Sequence, residues 1–450
     1  MSGESRALAE FVSQTAAADV PPLVRANAVA TMADAYGTAL AGVGEEGPRT
    51  IVDGLLPIAG DGPSRALGVP DRGVDPASAA LFNASASHAL DYDAISFAVS
   101  GFVGSPALFA LAALADAGDY SGSDVVTAYC LGWEGAAALG RALNPEHYAK
   151  GWHPTATLGT FAATMAASRL LRLDTDETVA ALAVATSEAS GVKTMIGNMA
   201  NSWHVGKAAR NGVNAALLAR AGFVGHETPL EWGQGFLALF SGPSGPRQDR
   251  LLAGLGERWD LADPGPVFKV HACCGLIHSG LDAVAGLRAD EGLQLDDVQE
   301  VRVLVHEYVP RVMHVKEPTS GYAAKFCVPY CVAAALRDGR AGLSAFEDVD
   351  PELVDLGRRV RVDVHPELVG GDSFFEKEFT DVEIRTSHGN HRRRVQRLSN
   401  RGTGSLDRSS LVAKFTECAT YRARSPGDPA AVVDRVLASE DEGRWVLWQR

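Results

Sequence analysis

The sequence predicts a mainly α protein, in which a large all-helical domain (residues 1–263 and 401–450) carries a smaller inserted α+β domain (residues 264–400). Three observations predict it. From Ser5 to about Leu255, stretch after stretch is built from Ala, Leu, Val and Gly with apolar residues at helical spacing. Past Pro264-Gly265-Pro266 the pattern changes to period-two alternation. After Asn400-Arg401-Gly402-Thr403-Gly404 a helical pattern resumes, which returns the chain to the first domain. No internal repeat or low-complexity segment interrupts this plan.

Taken in order, helices are expected over Pro22 to Ala41, Pro76 to Ala89, Pro106 to Ala117, Ser123 to Ala142, Thr157 to Leu171, Asp176 to Ala189 and Lys207 to Ala221. Their abundant Ala and Gly let neighbouring backbones approach closely. Pro22 suits a first helical turn, Ser123 or Asp124 can cap the helix holding Val125 to Leu131, and Thr175 can cap one whose first turn carries Asp176 and Glu177. In the second part, a helix from Cys274 to Ala289 precedes strands at Val301 to Val305, Val360 to Val364 and Thr380 to Thr386, with a further helix from Ala323 to Leu336. Helices from Asp407 to Tyr421 and Pro429 to Leu437 close the chain.

Composition narrows the function classes. The 450 residues carry 41 Lys+Arg against 55 Asp+Glu, a net charge of −14. Phosphate contacts need a basic stripe, and the one dense cluster is His391-Arg392-Arg393-Arg394, read as a solvated strand end, so no nucleic-acid partner is expected. No apolar run is long enough to cross a bilayer, and Met1-Ser2-Gly3-Glu4-Ser5-Arg6 lacks the features of a secretory signal; a cytoplasmic protein without a membrane partner is expected. The six cysteines are sparse and form no C-x-x-C, which points to neither a disulfide framework nor a metal site.

Candidate chemistry collects around histidines, which serve as acid, base or donor near neutral pH. His88-Ala89-Leu90-Asp91-Tyr92-Asp93 ends an apolar helix and hands over to a Gly-punctuated loop; His88 and Asp91 either act there or merely serve the last helical turn. Gly151-Trp152-His153-Pro154-Thr155-Ala156-Thr157 places His153 ahead of a helix N-terminus, where free N–H groups favour an anion such as a carboxylate. An ordinary cap by Thr155 or Thr157 would explain the threonines but not His153. Tyr148 lies close enough in sequence to exchange a proton at the same place, although most tyrosines only pack. Asn201-Ser202-Trp203-His204 precedes a small-residue helix, which suits His204 as a cap or as a ligand. At the expected domain boundary, Lys269 can pair with an anion and Cys274 can act as a thiol acid or nucleophile if its pKa is lowered; the common alternative is that Cys273 and Cys274 are small buried packers.

Missing motifs matter as well. Gly42-Val43-Gly44-Glu45-Glu46-Gly47 has the letters of G-x-G-x-x-G, but it follows a helix and carries two acids where a pyrophosphate would sit. There is no G-x-x-x-x-G-K-[ST], no G-x-S-x-G and no H-E-x-x-H. The residues themselves therefore point to acid/base chemistry on a small molecule in an interdomain cleft, without an organic cofactor.

The order of these segments carries a resemblance. His88-Ala89-Leu90-Asp91-Tyr92-Asp93, Gly151-Trp152-His153-Pro154-Thr155, His204-Val205-Gly206-Lys207-Ala208-Ala209, Phe268-Lys269 with Cys273-Cys274 and His278, and Ala324-Lys325-Phe326-Cys327-Val328-Pro329-Tyr330 together resemble the MmgE/PrpD family from near residue 5 to near residue 440. The family includes 2-methylcitrate dehydratase, cis-aconitate decarboxylase and iminodisuccinate epimerase. The resemblance implies a helical domain with an inserted α+β lid, a homodimer, and a metal-free, cofactor-free cleft for small polycarboxylates. It also implies that the family's acid, G-x-H-P-T histidine and lid-side lysine are Asp91, His153 and Lys269.

Other family positions differ here. A threonine becomes Ile95, a histidine falls at Phe102, a lysine becomes Asn201, the histidine near the double cysteine becomes Cys274, and a tyrosine reaching in from the lid becomes His314. Such changes remove groups that hold carboxylates, and an unpaired buried charge costs several kcal/mol. The expected substrate is therefore less carboxylate-rich and more apolar than methylcitrate, as in specialised metabolism. Three functions follow: a lyase, either dehydratase or decarboxylase; an isomerase, epimerase or cyclase on the same scaffold; or a non-catalytic homologue. With the family's help, the expected catalytic set is Asp91, His153, Tyr148, Lys269 and Cys274, and the expected substrate-binding set is His88, Ile95, Phe102, Asn201, His204 and His314.

Overall fold

A computed structural model describes residues 3–231, 233–370, 379–396, 407–423 and 427–448. The expected domain junction at residues 400 and 401 lies outside the described residues. The protein is mainly α with one small mixed sheet.

The first part of the chain forms α1 (Glu4–Gln14), α2 (Pro22–Gly42), α3 (Glu46–Leu55), α4 (Pro76–His88), α5 (Gly104–Asp116), α6 (Gly122–Leu143), α7 (Glu146–Lys150), α8 (Pro154–Leu170), α9 (Thr175–Glu188), α10 (Ala200–Arg220), α11 (Phe236–Phe240) and α12 (Gln248–Leu252), with a short strand β1 (Asp61–Ser64) between α3 and α4. Helices α2, α4, α5, α6, α8 and α10 bury most of their surface, so nearly every face is apolar or small. Gly206 and Gly212 show why small residues are needed. A Cβ at Gly206 would lie 2.4 Å from the Leu81 carbonyl oxygen, and one at Gly212 2.4 Å from Ala163 Cβ, so α10 can pack this closely on α4 and α8 only with glycine there.

The helix boundaries correct several expectations. Ser121 caps α6 in a reciprocal capping box with Asp124, and Asp174 caps α9 in the same way with Glu177; neither Ser123 nor Thr175 is the cap. Helix α10 begins at Ala200 rather than near Lys207, so His204 is a helical residue and not a cap. The polar run Asn201 to His204 reads as a loop in sequence, but tertiary partners satisfy it inside the helix.

The second part contains α13 (His278–Glu291), β2 (Val298–Val305), α14 (Tyr308–Val312), α15 (Gly321–Ala324), α16 (Val328–Asp338), α17 (Pro351–Gly357), β3 (Val360–Val364), β4 (Phe379–Thr386) and β5 (Gly389–Gln396). The expected helix from Cys274 instead starts at His278, after a 3₁₀ turn at Gly275–Ile277. The expected helix from Ala323 is broken into α15 and α16, because Pro329 has no N–H to continue a ladder and starts a new helix instead.

The sheet order is β3-β2-β4-β5, with β2 parallel to β3 and both other pairs antiparallel. Val298, Val301, Val303 and Val305 of β2 and Val382 and Ile384 of β4 are buried in a second core with Leu281, Val284 and Leu287 of α13. The basic run His391 to Arg394 is not a strand end. It occupies edge strand β5, with Arg392 paired to Glu383, Arg394 to Asp381 and Arg393 to Asp290.

Helices α18 (Arg408–Thr420) and α19 (Pro429–Leu437) place Leu411, Phe415, Val432, Val433 and Val436 in the core of the first part. On α18, Lys414 Nζ is 2.6 Å from Asp34 Oδ1 and donates to the Tyr92 carbonyl at 2.7 Å, while Cys418 belongs to the second core. Among the described residues, no helix is long and apolar enough to cross a membrane.

Candidate active site

A cavity of about 70 Å³ opens where the two cores meet. His88, Asp91, Ile95, Phe102, Tyr148, His153 and Asn201 line it from the first part, and Lys269 and Cys274 line it from the second. Larger concavities exist, such as one of about 530 Å³ beside Leu218, Phe223 and Val224, but the small one gathers the acid, base and cationic groups that acid/base chemistry needs.

The local backbone sets the pieces. Helix α4 ends at His88, and Asp91 then takes a left-handed conformation (φ 49°), which costs a non-glycine residue about 1 kcal/mol and is a form of strain found at functional sites. Ile95 and Val267 exchange two backbone hydrogen bonds of 2.9 Å, which brings Lys269 alongside Asp91. Lys269 Nζ donates to Asp91 Oδ1 at 2.6 Å and to the Asp91 carbonyl at 2.7 Å; both residues are buried. The same ammonium lies 4.7 Å from the centre of the Phe102 ring, so Phe102 supplies a cation–π face. Lys325, also buried, donates to the Ala272 carbonyl at 2.6 Å and so fixes the segment from Lys269 to Cys274.

A polar chain runs along the adjoining wall. Ser105 Oγ donates to Asp93 Oδ2 at 2.7 Å, and Asp93 Oδ1 lies 2.7 Å from His88 Nδ1. With Nδ1–H given to Asp93, His88 Nε2 is an acceptor, and Asn201 Nδ2 donates to it at 3.1 Å and to Tyr322 Oη at 3.0 Å. Burial alone would raise the Asp93 carboxyl pKa, but its interactions with His88, Lys269 and Ser105 hold it below the usual carboxylate range. Asn201 Oδ1 is buried without a partner among the described residues.

His153 is the residue preceding α8, with Pro154 in the first turn. The threonines do not cap the helix. Thr155 Oγ1 accepts the Phe102 N–H at 3.1 Å, and Thr157 Oγ1 bonds His147 Nε2 at 2.8 Å. His153 Nδ1 lies 2.8 Å from His204 Nδ1. Two Nδ1 atoms can share only one hydrogen, so one ring is the Nδ1–H tautomer and the other the Nε2–H tautomer. Burial keeps both rings neutral: His153 is held well below the usual histidine value, and His204 is lowered to about 4. A proton gained or lost at His153 Nε2 is thereby linked to a shift along the bond to His204. His204 itself stands behind His153 and does not line the cavity.

Cys274 has its thiol pushed up to about 12 by burial, with the Asp91 charge acting in the same direction. The lowered pKa that a nucleophilic role requires is absent, and the thiol is neutral at physiological pH. Cys274→Ala is accordingly expected to keep turnover within about tenfold of the parent chain, a much smaller loss than that of a catalytic group; a kinetic comparison of the two proteins checks this.

His314 does not reach in. It is exposed, with Nδ1 3.1 Å from the Val312 carbonyl oxygen, and Val312 is the cavity residue of that segment. The tyrosine that meets the polar chain from the second part is Tyr322, at the start of α15. Sequence reasoning also missed Asp93, five residues beyond His88, and Lys193. Lys193 Nζ sits 3.6 Å from the Tyr148 ring centre, and its pKa is lowered to about 8 by burial and by Arg311. Among the described residues, no group of three or more His, Cys, Asp or Glu is placed to hold a metal ion.

The buried neutral histidines set a pH dependence of stability. His147, lowered to about 4 by burial, and His204 bind protons near pH 6.5 only when unfolded. Acid therefore favours the unfolded chain, and stability present above pH 6.5 is lost as pH falls toward 4. The expected loss is about 2 kcal/mol per histidine by pH 5. Denaturant unfolding at pH 7.5 and pH 5 measures it, and equal midpoints would contradict the assignment.

Comparison with known proteins identifies the family. Residues 6–249 match the MmgE/PrpD N-terminal domain, and residues 271–438 match the MmgE/PrpD C-terminal domain. The chain belongs to the MmgE/PrpD family. Similar relatives within it include a cis-aconitate decarboxylase of Aspergillus terreus, 29% identical over 388 residues (80% of this chain and 78% of the relative). The human and mouse cis-aconitate decarboxylases are 29% and 27% identical over 324 and 373 residues, covering 68% and 79% of this chain and 65% and 74% of their own lengths. A lyase-type role is the family-level reading these relatives support.

Proposed function

We propose that this MmgE/PrpD protein is a cofactor-free lyase, a dehydratase or decarboxylase, acting on a small carboxylate that is less charged and more apolar than the cis-aconitate for which its relatives are named. The observation that carries the reading is the buried Lys269–Asp91 pair in one cavity with His153. His153 Nε2 moves a proton at the carbon next to the substrate carboxylate, with His204 taking up the tautomer change. Lys269, a fixed cation in a poorly solvated site, stabilises the developing enolate oxygen, and Asp91 holds Lys269 in place and assists the leaving group. Tyr148 stands at the same cavity as a second proton donor.

Substrate preference follows from charge. The ammonium that faces the cavity is already matched by Asp91, and the Nδ1–H of His88 is already given to Asp93. Ile95, Phe102, Ile196, Leu276, Val312 and Phe326 make the remaining walls largely apolar. Several carboxylates in such a site would lack partners. The cavity is also small compared with ligand sites of roughly 300–1,000 Å³, which supports a lid motion: the part containing the sheet moves away from the helical part to admit substrate. Contacts such as Asn201–Tyr322 then re-form on closure.

Mono-, di- and tricarboxylates incubated with the enzyme, with CO2, water loss and solvent deuterium followed together, test the proposal. Loss of CO2 or water from a mono- or dicarboxylate is the expected result. Carbon-bound deuterium without mass loss would replace the lyase by an isomerase or cyclase. In Asn201→Lys, a cation beside His88 is expected to raise kcat/KM for cis-aconitate about tenfold relative to the preferred substrate, as one added charge-assisted hydrogen bond would; an unchanged ratio would count against the charge rule.

A further inference from the structure

The hairpin held by Ser96 and Gly101 lines the candidate active site through Ile95, Ser100, Gly101 and Phe102. Through Phe97 and Ala98 it also lines a second cavity, of about 370 Å³. Four arginines line that second cavity: Arg141 of α6, Arg247 and Arg250 at α12, and Arg258 in the turns that follow. In a chain of net charge −14, this is a strong local excess of positive charge.

Two acids offset part of it: Asp260, which lines the cavity and attracts Arg141 and Arg258, and Glu134, which attracts Arg141. Asp260 Oδ2 is taken by Trp133 Nε1 and Ser96 Oγ, each at 2.9 Å. The oxygens of Glu134 accept the backbone N–H groups of Asp260 and Leu261 at 2.8 and 2.9 Å. Burial raises both carboxyl pKa values, that of Glu134 to about 8 with help from the Asp260 charge. Meanwhile Arg141 Nε and Nη2 are closed off from solvent without a hydrogen-bond partner, and Arg141, Arg250 and Arg258 form no side-chain ion pair among the described residues. A half-buried guanidinium whose N–H groups lack acceptors is costly, and an oxyanion that accepts from the guanidinium groups facing the cavity offsets that cost.

We propose that this four-arginine cavity binds a small molecule bearing at least two oxyanion groups, at a site separate from the catalytic cavity and sharing the 95–102 hairpin with it. Its volume suits a small ligand, and guanidinium forks match carboxylate and phosphate alike. Ser96 ties the shared hairpin to Asp260 at the cavity wall, so occupancy of the second site bears directly on the segment that carries Ile95 and Phe102.

The test is calorimetric titration of the full chain at constant ionic strength with inorganic pyrophosphate and with citrate, using chloride as the reference. Saturable binding of one probe per chain is expected, and which probe binds separates a phosphate from a carboxylate ligand. The double variant R250Q/R258Q, altered at two exposed positions, should weaken binding at least tenfold with an unchanged Tm, while H153A should leave it within twofold. Hydrogen exchange on probe addition should slow at residues 95–102 and 247–258. No binding above the chloride reference, binding that survives R250Q/R258Q, or protection confined to residues 269–276 would each overturn the proposal.

Discussion

Replacing His153 by Ala, or Asp91 by Asn, is expected to lower turnover roughly 10²–10⁴-fold while the chain remains folded, the range typical of a positioned proton-transfer group. His153→Ala removes the imidazole that faces the cavity and leaves His204 without its Nδ1 partner. Asp91→Asn keeps the side chain's shape and the carbonyl contact to Lys269 but strips the ammonium of its counter-charge. The two should differ in their pH–rate profiles: the His153 variant loses the limb that reports the base, and the Asp91 variant retains it at a lower plateau. Circular dichroism confirms folding and steady-state kinetics give the rates. Rates near those of the parent chain in both variants would remove the acid/base assignment. A His204→Gln variant separates positioning from catalysis, because an amide can hold the ring but cannot exchange the proton; its expected mark is a shifted pH profile with little change in KM.

Helical spacing and the switch to alternation were enough to read a mainly α protein with a small sheet, because burial repeats along each element. Local polar runs were harder to read. Asn201 to His204 resemble a loop until His88, Tyr322 and His153 are placed against them, and Pro329 looks like an interruption until it is seen to begin a helix. The site shows the same division. His88, Asp91, His153 and Lys269 occur in distinctive segments, and the cavity brings them together. Asp93 and Tyr322 act through partners distant in space or across a turn, which spacing does not encode. His314 was matched by position along a segment, but Val312, the last residue of α14, lines the cavity, and His314, two residues beyond, is exposed. Cys274 had an outcome set by its surroundings alone, since burial, with the Asp91 charge, outweighs the Lys269 cation that would otherwise favour a reactive thiolate.

Lys269→Met should cost about 3–5 kcal/mol of folding stability, the usual consequence of removing one partner of a buried ion pair. The Asp91 carboxylate would remain buried, in a strained backbone conformation, with its 2.6 Å partner gone. That uncompensated buried charge is the source of the expected loss. Turnover should fall with it, because among the described residues Lys269 is the one lysine or arginine that lines the cavity. The double variant Lys269→Met/Asp91→Asn divides these effects. With both charges gone, no uncompensated ion remains, and most of the lost stability should return. Turnover should not return. Denaturant unfolding of the two single variants, the double variant and the parent chain gives the coupling energy directly, and kinetics on the same four proteins gives the catalytic counterpart. If the double variant were no more stable than Lys269→Met alone, the pair would not be the coupled buried unit that its geometry describes. If it regained activity along with stability, Lys269 would be holding the cleft in shape rather than meeting the substrate.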